Sequence, residues 1–360
     1  MFYFKLFVAA AAIIGALDYL FGNKIGLGKE FSLGFELWGK MALSMIGLIV
    51  LSPWLAKLME PFFDIVANHT PFDPSIIPAS LLANDMGGSV LCTESARDEL
   101  IGNFNGYVVS AMMGSTISYT LPVSLNMVDK SQIRELCLGM LCGIVTIPFG
   151  CFVAGLMMQI SVADILIDLL PLVIIAAVIA FGLIKAPDLC VKIFKIVGFI
   201  VKALIVFGLC IGLLEFIPGI RLLPDTADYA EGAMVCVNAA TVLAGMLVAF
   251  RILSKALEKP LKVAEKKLGI NESSILGLLG SLLSNLTAFG IMHKMDRKGT
   301  ILNSAFSVSA AFALGSHLAY TMSYCEAMVP YVTVGKLISG VCSLVLAWFI
   351  AKKYVQPEAK

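Results

Sequence analysis

Apolar runs recur along nearly the whole chain, at about 2–22, 33–58, 75–96, 103–126, 134–159, 161–184, 189–217, 231–253, 272–293, 302–324 and 328–352. Most are close to the ~20 residues a helix needs to cross a bilayer core, so the pattern predicts membrane-spanning helices joined by short polar connections. Two runs read differently. In 75–96 the sequence Asn84-Asp85-Met86-Gly87-Gly88 sets an ionisable residue and a glycine pair in the middle of membrane-grade sequence. Such a break predicts unwound backbone that lines a cavity rather than facing lipid. In 272–293 the middle, Ser284-Asn285-Leu286-Thr287-Ala288-Phe289-Gly290, is polar and glycine-terminated.

The basic residues assign sides. Arg251, Lys255, Lys259, Lys262, Lys266 and Lys267 precede 272–293, and Lys294, Arg297 and Lys298 follow it. A full crossing between them would place two basic loops on opposite sides, against the positive-inside bias. A hairpin that enters and returns removes the conflict. The same reading of 75–96, with sides propagated from Lys185, Lys192 and Lys195, puts the Lys130/Arg134 loop, the Lys24/Lys29/Lys40 loop and the Lys352/Lys353 end inside. Loops near Ser161, from Asp225 to Glu231 and at Pro330 fall outside, and only Lys5 and Arg97 sit on the unfavoured side. Residues 2–17 look superficially like a signal peptide but read as the first membrane helix. The expected fold is an all-α integral membrane protein with about nine transmembrane helices and two re-entrant helical hairpins, N-terminus outside and C-terminus inside.

An internal repeat fits this topology. Gly114-Ser115-Thr116-Ile117-Ser118-Tyr119-Thr120 follows the first hairpin and Gly315-Ser316-His317-Leu318-Ala319-Tyr320-Thr321 the second, with Gly, Ser, Tyr and Thr in register. Hairpins that enter from opposite sides are what an inverted-repeat transporter fold requires. The expected organisation is a first five-element repeat over 1–160 with its hairpin near 75–98, a connecting helix over 161–185, a second inverted repeat over 189–353 with its hairpin near 272–298, and a cytoplasmic tail over 354–360.

Composition agrees. Hydrophobic residues are 59% and charged residues 14%, with mean hydropathy +0.92, whereas a soluble domain carries about 25% charged residues. A net charge of +1, with no basic face, argues against nucleic acid. Nine cysteines lie scattered in apolar sequence without a CxxC pair or a His/Cys cluster, and read as small buried hydrophobes. No metal site, cofactor motif or enzyme signature (HExxH, GxSxG, Walker loop, dinucleotide fingerprint) occurs, so no enzyme is expected.

In inverted-repeat transporters the site lies near the midplane, among the broken elements of both repeats. The candidates for substrate binding are therefore Asn84, Asp85, Ser284 and Asn285 at the tips, with Ser115, Thr116, Tyr119, Thr120, Ser316, His317, Tyr320 and Thr321 in the two following motifs. Asp85 is the sole carboxylate of the set, which predicts a cationic ligand; capping its own half-helix is a role that can coexist with this. Tyr119 and Tyr320 offer aromatic faces to an ammonium. Asn285 either contacts ligand or satisfies turn backbone, and His317 either carries protons or packs as a hydrogen-bonded histidine.

Longer stretches add a resemblance. LLANDMGG at 81–88, SAMMGSTISYTLPVSL at 110–125, GIVTIPFGC at 143–151, HKMDRKGTILNSAFSVSAAFALGSHL at 293–318 and VGKLISG at 334–340 are similar to the ethanolamine-permease family of the bacterial ethanolamine-utilization system (EutH). The resemblance implies a protein of the bacterial cytoplasmic membrane, in contact with lipid, that admits ethanolamine, a protonated amine at neutral pH. The amine is then expected on Asp85 and the hydroxyl near Asn285 and Ser316. The family pattern often carries Asp where this chain has Ser316, which shifts that duty to Asp85 or alters the substrate. Analogy with carriers that move one bundle against a fixed scaffold points to a homodimer. The alternatives are an ion-coupled carrier of another small polar metabolite, and a non-transporting receptor or scaffold for ethanolamine enzymes.

Overall fold

The computed structural model describes residues 2–256 and 258–354, and the described residues contain no strand. In chain order the helices are α1 (Phe2–Leu20), α2 (Gly28–His69), α3 (Ile76–Leu81), α4 (Ser89–Ser95), α5 (Glu99–Met127), α6 (Ile133–Met157), α7 (Val162–Asp168), α8 (Leu170–Lys185), α9 (Pro187–Phe216) and α10 (Tyr229–Ala256). They continue as α11 (Glu258–Leu268), α12 (Glu272–Ser281), α13 (Asn285–Gly290), α14 (Arg297–Ser309), α15 (Ser316–Tyr324) and α16 (Val329–Tyr354). Among the described residues seven helices are long and apolar enough to cross a membrane, and the pair α7–α8, bent by 42°, makes an eighth. Helices satisfy most of their own backbone groups, as hydrocarbon demands.

The apolar run at 302–324 does not form the continuous span its hydropathy predicts. α14 ends at Ser309 and α15 starts at Ser316, with Phe312 between them at φ 61°. Hydropathy reports only that the stretch avoids water. The interruption has a tertiary cause: Phe312 N–H donates to Ser281 O (3.0 Å) and Leu314 N–H to Leu282 O (2.9 Å), so the chain leaves its own helix to bond the end of α12. Of the tail expected over 354–360, only Tyr354 lies within the described residues.

Close approach of backbones orders the bundle. α2 packs on α10, α9 and α1, while α6, α14 and α16 form a second group. A Cβ at Gly47 would meet Ile205 O at 1.9 Å, and one at Gly150 would meet Gly335 O at 2.6 Å. Small residues at helix crossings are the expected device where lipid supplies no hydrophobic drive between helices. The outward faces stay apolar, as with Val178 and Phe181 on α8 and Ile196 and Phe199 on α9.

Charged residues gather at the two ends. The guanidinium of Arg297 bonds Glu135 through Nε and Nη2, both at 2.8 Å, and Arg134 and Arg297 lie over the Tyr354 ring. Lys298 and Lys352 lie over Trp348. Both cations that the charge bias leaves on the unfavoured side have tertiary partners. Lys5 pairs with Glu326, and the Arg97 guanidinium donates to the Val66, Ala67 and Thr70 carbonyls at the end of α2. Asp18 accepts from the Leu27 and Gly28 N–H groups (2.8 Å each) and so caps α2. At the start of α3, Asp73 accepts from Ser75 Oγ (2.6 Å) and its own N–H donates to Asp168 (3.0 Å).

Candidate functional site

Between α3 and α4 the chain runs extended through Leu82 and Ala83, then turns through Asn84–Gly88. Gly87 is required twice over: its φ is 79°, and a Cβ there would lie 2.9 Å from Leu48 Cβ. Side chains satisfy the freed carbonyls. Ser110 donates to Leu82 O, Ser89 to Asn84 O (3.0 Å) and Ser52 to Gly87 O (3.3 Å). Between α12 and α13 the break is capped by Ser284, whose hydroxyl accepts from Leu286 N–H (3.3 Å).

A cavity of about 780 Å³ reaches the first break. One face of α2, from Glu30 through Leu33, Leu37, Met41 and Ser44 to Met45, lines its length, which at 1.5 Å per residue is about 22 Å of helix. Leu243, Leu247, Phe250 and Arg251 of α10 also line it, and Glu30 and Lys40 are the charged residues that α2 contributes. At the inner end stand Asp85, Tyr119, Ser284, Ser316, His317 and Phe312. The walls are thus largely apolar, and the polar groups converge at depth, the usual construction of a small-ligand site.

Asp85 is nearly buried, with 10% of its side chain exposed. Its Oδ1 lies 3.6 Å from His317 Nε2, and Ser316 stands beside the carboxylate at the start of α15. The positive end of that helix therefore faces the negative group. His317 is held on its other side by Lys336 of α16, whose Nζ lies 3.2 Å from His317 Nδ1 and donates to Ala111 O at 2.5 Å. Lys336 is 1% exposed. Ala111 belongs to a π-helical stretch of α5, Phe104–Gly114. Phe312 stacks on the imidazole with ring centroids 4.8 Å apart, and Tyr119 meets Phe312 edge-on at 5.8 Å.

Of the residues expected at the site, Asp85, Tyr119, Ser284, Ser316 and His317 line the cavity. Asn84 and Asn285 lie behind it, fully buried: Asn84 Nδ2 donates to Thr321 Oγ1 (3.3 Å) and Asn285 Nδ2 to Thr120 Oγ1 (3.0 Å). Both amide oxygens lack a partner. Ser115 and Thr116 turn back on the backbone of α5, donating to Ala111 O (2.9 Å) and Met112 O (2.7 Å). Tyr320 is fully buried, with its hydroxyl 2.6 Å from Ser89 Oγ, and does not line the cavity. Lys336 is absent from the sequence-based set. Its signal was present, since it is a lysine in the middle of an apolar run, the position where an ionisable group has to be paired or functional.

Long apolar helices packed around a cavity are the build of a multi-pass membrane protein. The family model described as "Ethanolamine utilisation protein, EutH" matches residues 3–350, and the chain belongs to that family. It is 37% identical over 344 residues to a Listeria monocytogenes protein named probable ethanolamine permease EutH, covering 96% of this chain and 92% of the relative. A Salmonella typhimurium protein of the same name is 34% identical over 384 residues, covering 98% and 94%. The uncharacterized protein YxeR of Bacillus subtilis is 34% identical over 343 residues, covering 95% and 93%. No solved structure matches the chain.

Proposed function

We propose that this chain is a permease for ethanolamine in the bacterial cytoplasmic membrane, and not an enzyme. The observation that carries the reading is the Asp85 carboxylate at the inner end of an apolar cavity, beside Ser316 and the Tyr119 ring. A small ammonium ion gains a charge-assisted bond from the first, its hydroxyl a partner in the second, and its charge a π-face in the third. With serine at 316, Asp85 is the lining carboxylate that stands beside that residue. The names of the relatives point to the same substrate.

An inverted repeat with two re-entrant hairpins is the architecture we assign to the carrier. Reciprocal contacts support it. The tip residue of each half bonds the motif threonine of the other, Asn84 to Thr321 and Asn285 to Thr120. A Cβ at Gly114 would meet Leu82 O, and one at Gly315 would meet Leu283 O, each at 1.9 Å. All four pairs of counterparts, Asn84/Asn285, Thr120/Thr321, Gly114/Gly315 and Leu82/Leu283, fall at one constant offset along the chain. Lys40 and Arg251, which line the cavity, are among the basic residues that the charge bias puts inside, so the cavity is read as open to the cytoplasm with the N-terminus outside. Alternating access then moves the hairpin-bearing elements against α2 and α10.

The test is accumulation of labelled ethanolamine in liposomes whose only protein is this chain, against protein-free liposomes. Accumulation above the protein-free rate, competed by unlabelled ethanolamine, is the expected result. Saturable binding with no entry into the lumen would instead establish the receptor reading.

A further inference from the structure

Transport of a cation through a site built on one carboxylate leaves a problem when the site is empty. A lone negative charge would have to remain buried while the carrier resets, and low dielectric makes that costly. The structure contains an answer in the order of three groups. Lys336 Nζ lies 3.2 Å from His317 Nδ1; a lysine ammonium has only hydrogens to offer, so opposite a charged Lys336 the imidazole accepts at Nδ1 and carries its hydrogen on Nε2. That nitrogen faces Asp85 at 3.6 Å. With Lys336 charged and Asp85 ionised, the row then amounts to one ammonium, one neutral imidazole and one carboxylate, with a net charge of zero. The ring is fixed by its stack on Phe312, and Lys336 by the Ala111 carbonyl.

We propose that Lys336 is a tethered ammonium that balances Asp85 in the empty carrier and gives up one proton for each substrate ammonium bound. The proposal rests on the reading of Asp85 as the amine site. Docking of a second ammonium on Asp85 would leave a net positive charge in the bundle. It is removed by a shift of hydrogens along the row: an Nζ–H passes to His317 Nδ1 while the proton on Nε2 leaves to water on the side from which the substrate has entered. Lys336 is then a neutral amine, and His317 has its hydrogen on Nδ1. The freed lone pair on Nε2 accepts from the bound substrate ammonium, which so takes the place of the departed proton.

When the substrate leaves on the other side, water returns a proton to Nε2 and Nδ1–H returns its own to Nζ. Each cycle carries one ammonium inward and one proton outward, and no net charge crosses. The titratable groups around Lys336 are His317 on α15, Asp85 at the first break and Cys151 on α6. Around Asp85 they also include Tyr119, Tyr320 and Cys236. α14, which packs on α16, carries its charges Arg297 and Lys298 in its first turn, near Tyr354 and Trp348 and away from Lys336.

The experiment uses purified full-length protein in liposomes, a lumenal pH dye, and the membrane voltage clamped with potassium and valinomycin, with the protein-free rate subtracted. Wild-type ethanolamine uptake is expected to be the same at zero and inside-negative voltage, with one proton leaving the lumen per ethanolamine entering. Lys336→Arg, which cannot yield its proton, is expected to lose uptake while remaining monodisperse. Lys336→Met is expected to show slowed uptake, because the empty carrier resets with Asp85 unbalanced, and the uptake that remains is accelerated by inside-negative voltage and moves no proton. Wild-type uptake that carries one positive charge per ethanolamine would overturn the proposal while leaving the ethanolamine reading intact. Uptake by Lys336→Arg at the wild-type rate would do the same. Absence of any wild-type uptake would overturn the Asp85 reading and this proposal with it.

Discussion

Replacing Gly315 by alanine tests whether the joint between the α12–α13 break and α15 is as close as described. The added Cβ would stand 1.9 Å from Leu283 O and 2.8 Å from Leu283 C, and both are backbone atoms that no rotamer can move away. Relief requires the Leu282–Leu283 turn or the start of α15 to shift by more than an ångström, which strains the Phe312–Ser281 and Leu314–Leu282 bonds. Overpacking of this kind costs about 1–3 kcal/mol, more where backbone has to move. Gly39 is the control, because it lies on an exposed face of α2 with nothing within 4 Å of a Cβ. Alanine there is expected to be neutral or to stabilise by about 0.5–1 kcal/mol. Melting of the detergent-solubilised protein, followed by loss of the monodisperse peak, reads the difference; at about 2–4 °C per kcal/mol the two variants separate clearly. Ethanolamine uptake should fall for Gly315→Ala, since Ser316 and His317 move with the start of α15. A Gly315→Ala protein that melts and transports like Gly39→Ala would refute the close approach.

The reciprocal tip bonds predict matched effects: Asn84→Ala and Asn285→Ala should each cost about 1 kcal/mol in melting experiments, and each should couple to its own threonine, Thr321 or Thr120, in a double-mutant cycle, with no coupling in the crossed pairs. Arg297→Met leaves Glu135 buried without its partner and should lower the melting temperature, a loss that Glu135→Gln in the same chain should partly restore. Single cysteines at Glu99 and Lys298, in a cysteine-depleted background, should react with an impermeant reagent from opposite sides of the membrane; reaction of both from one side would break the inverted-repeat topology.

Hydropathy located the long helices because each must present apolar side chains to lipid, and the first break was readable because Asp85 and a glycine pair contradict a spanning helix. The break at 310–315 was hidden for the opposite reason. Its sequence, Ala310-Ala311-Phe312-Ala313-Leu314-Gly315, is apolar and free of proline, and what interrupts it is backbone bonding to Ser281 and Leu282, far away in sequence. The left-handed Phe312 follows from that pairing and not from its own preference. The π-helical stretch of α5 likewise has no local signature.

At the site, residue type identified Asp85, Ser316 and His317, and the motif repeat brought in Thr120 and Thr321, which the structure joins to the opposite tips. The same repeat matched Tyr320 to Tyr119, yet the two occupy different surroundings: Tyr119 faces the cavity, whereas Tyr320 is sealed against Ser89. A repeat aligns positions, while exposure depends on what packs over each. Lys336 escaped because it belongs to neither broken element; only the crossing of α16 over α15 and the Ala111 carbonyl makes it part of the row.

The measurement that tests the account most directly is ethanolamine uptake by Asp85→Asn and Asp85→Glu beside wild type, in liposomes loaded with equal amounts of monodisperse protein. Asparagine keeps the shape of the side chain and removes its charge. Asp85→Asn is expected to fall to the protein-free rate at every ethanolamine concentration, with the melting temperature held near that of wild type. Asp85→Glu should keep measurable uptake with a weakened apparent affinity. Saturable wild-type uptake that survives Asp85→Asn undiminished would contradict the claim that this carboxylate holds the amine.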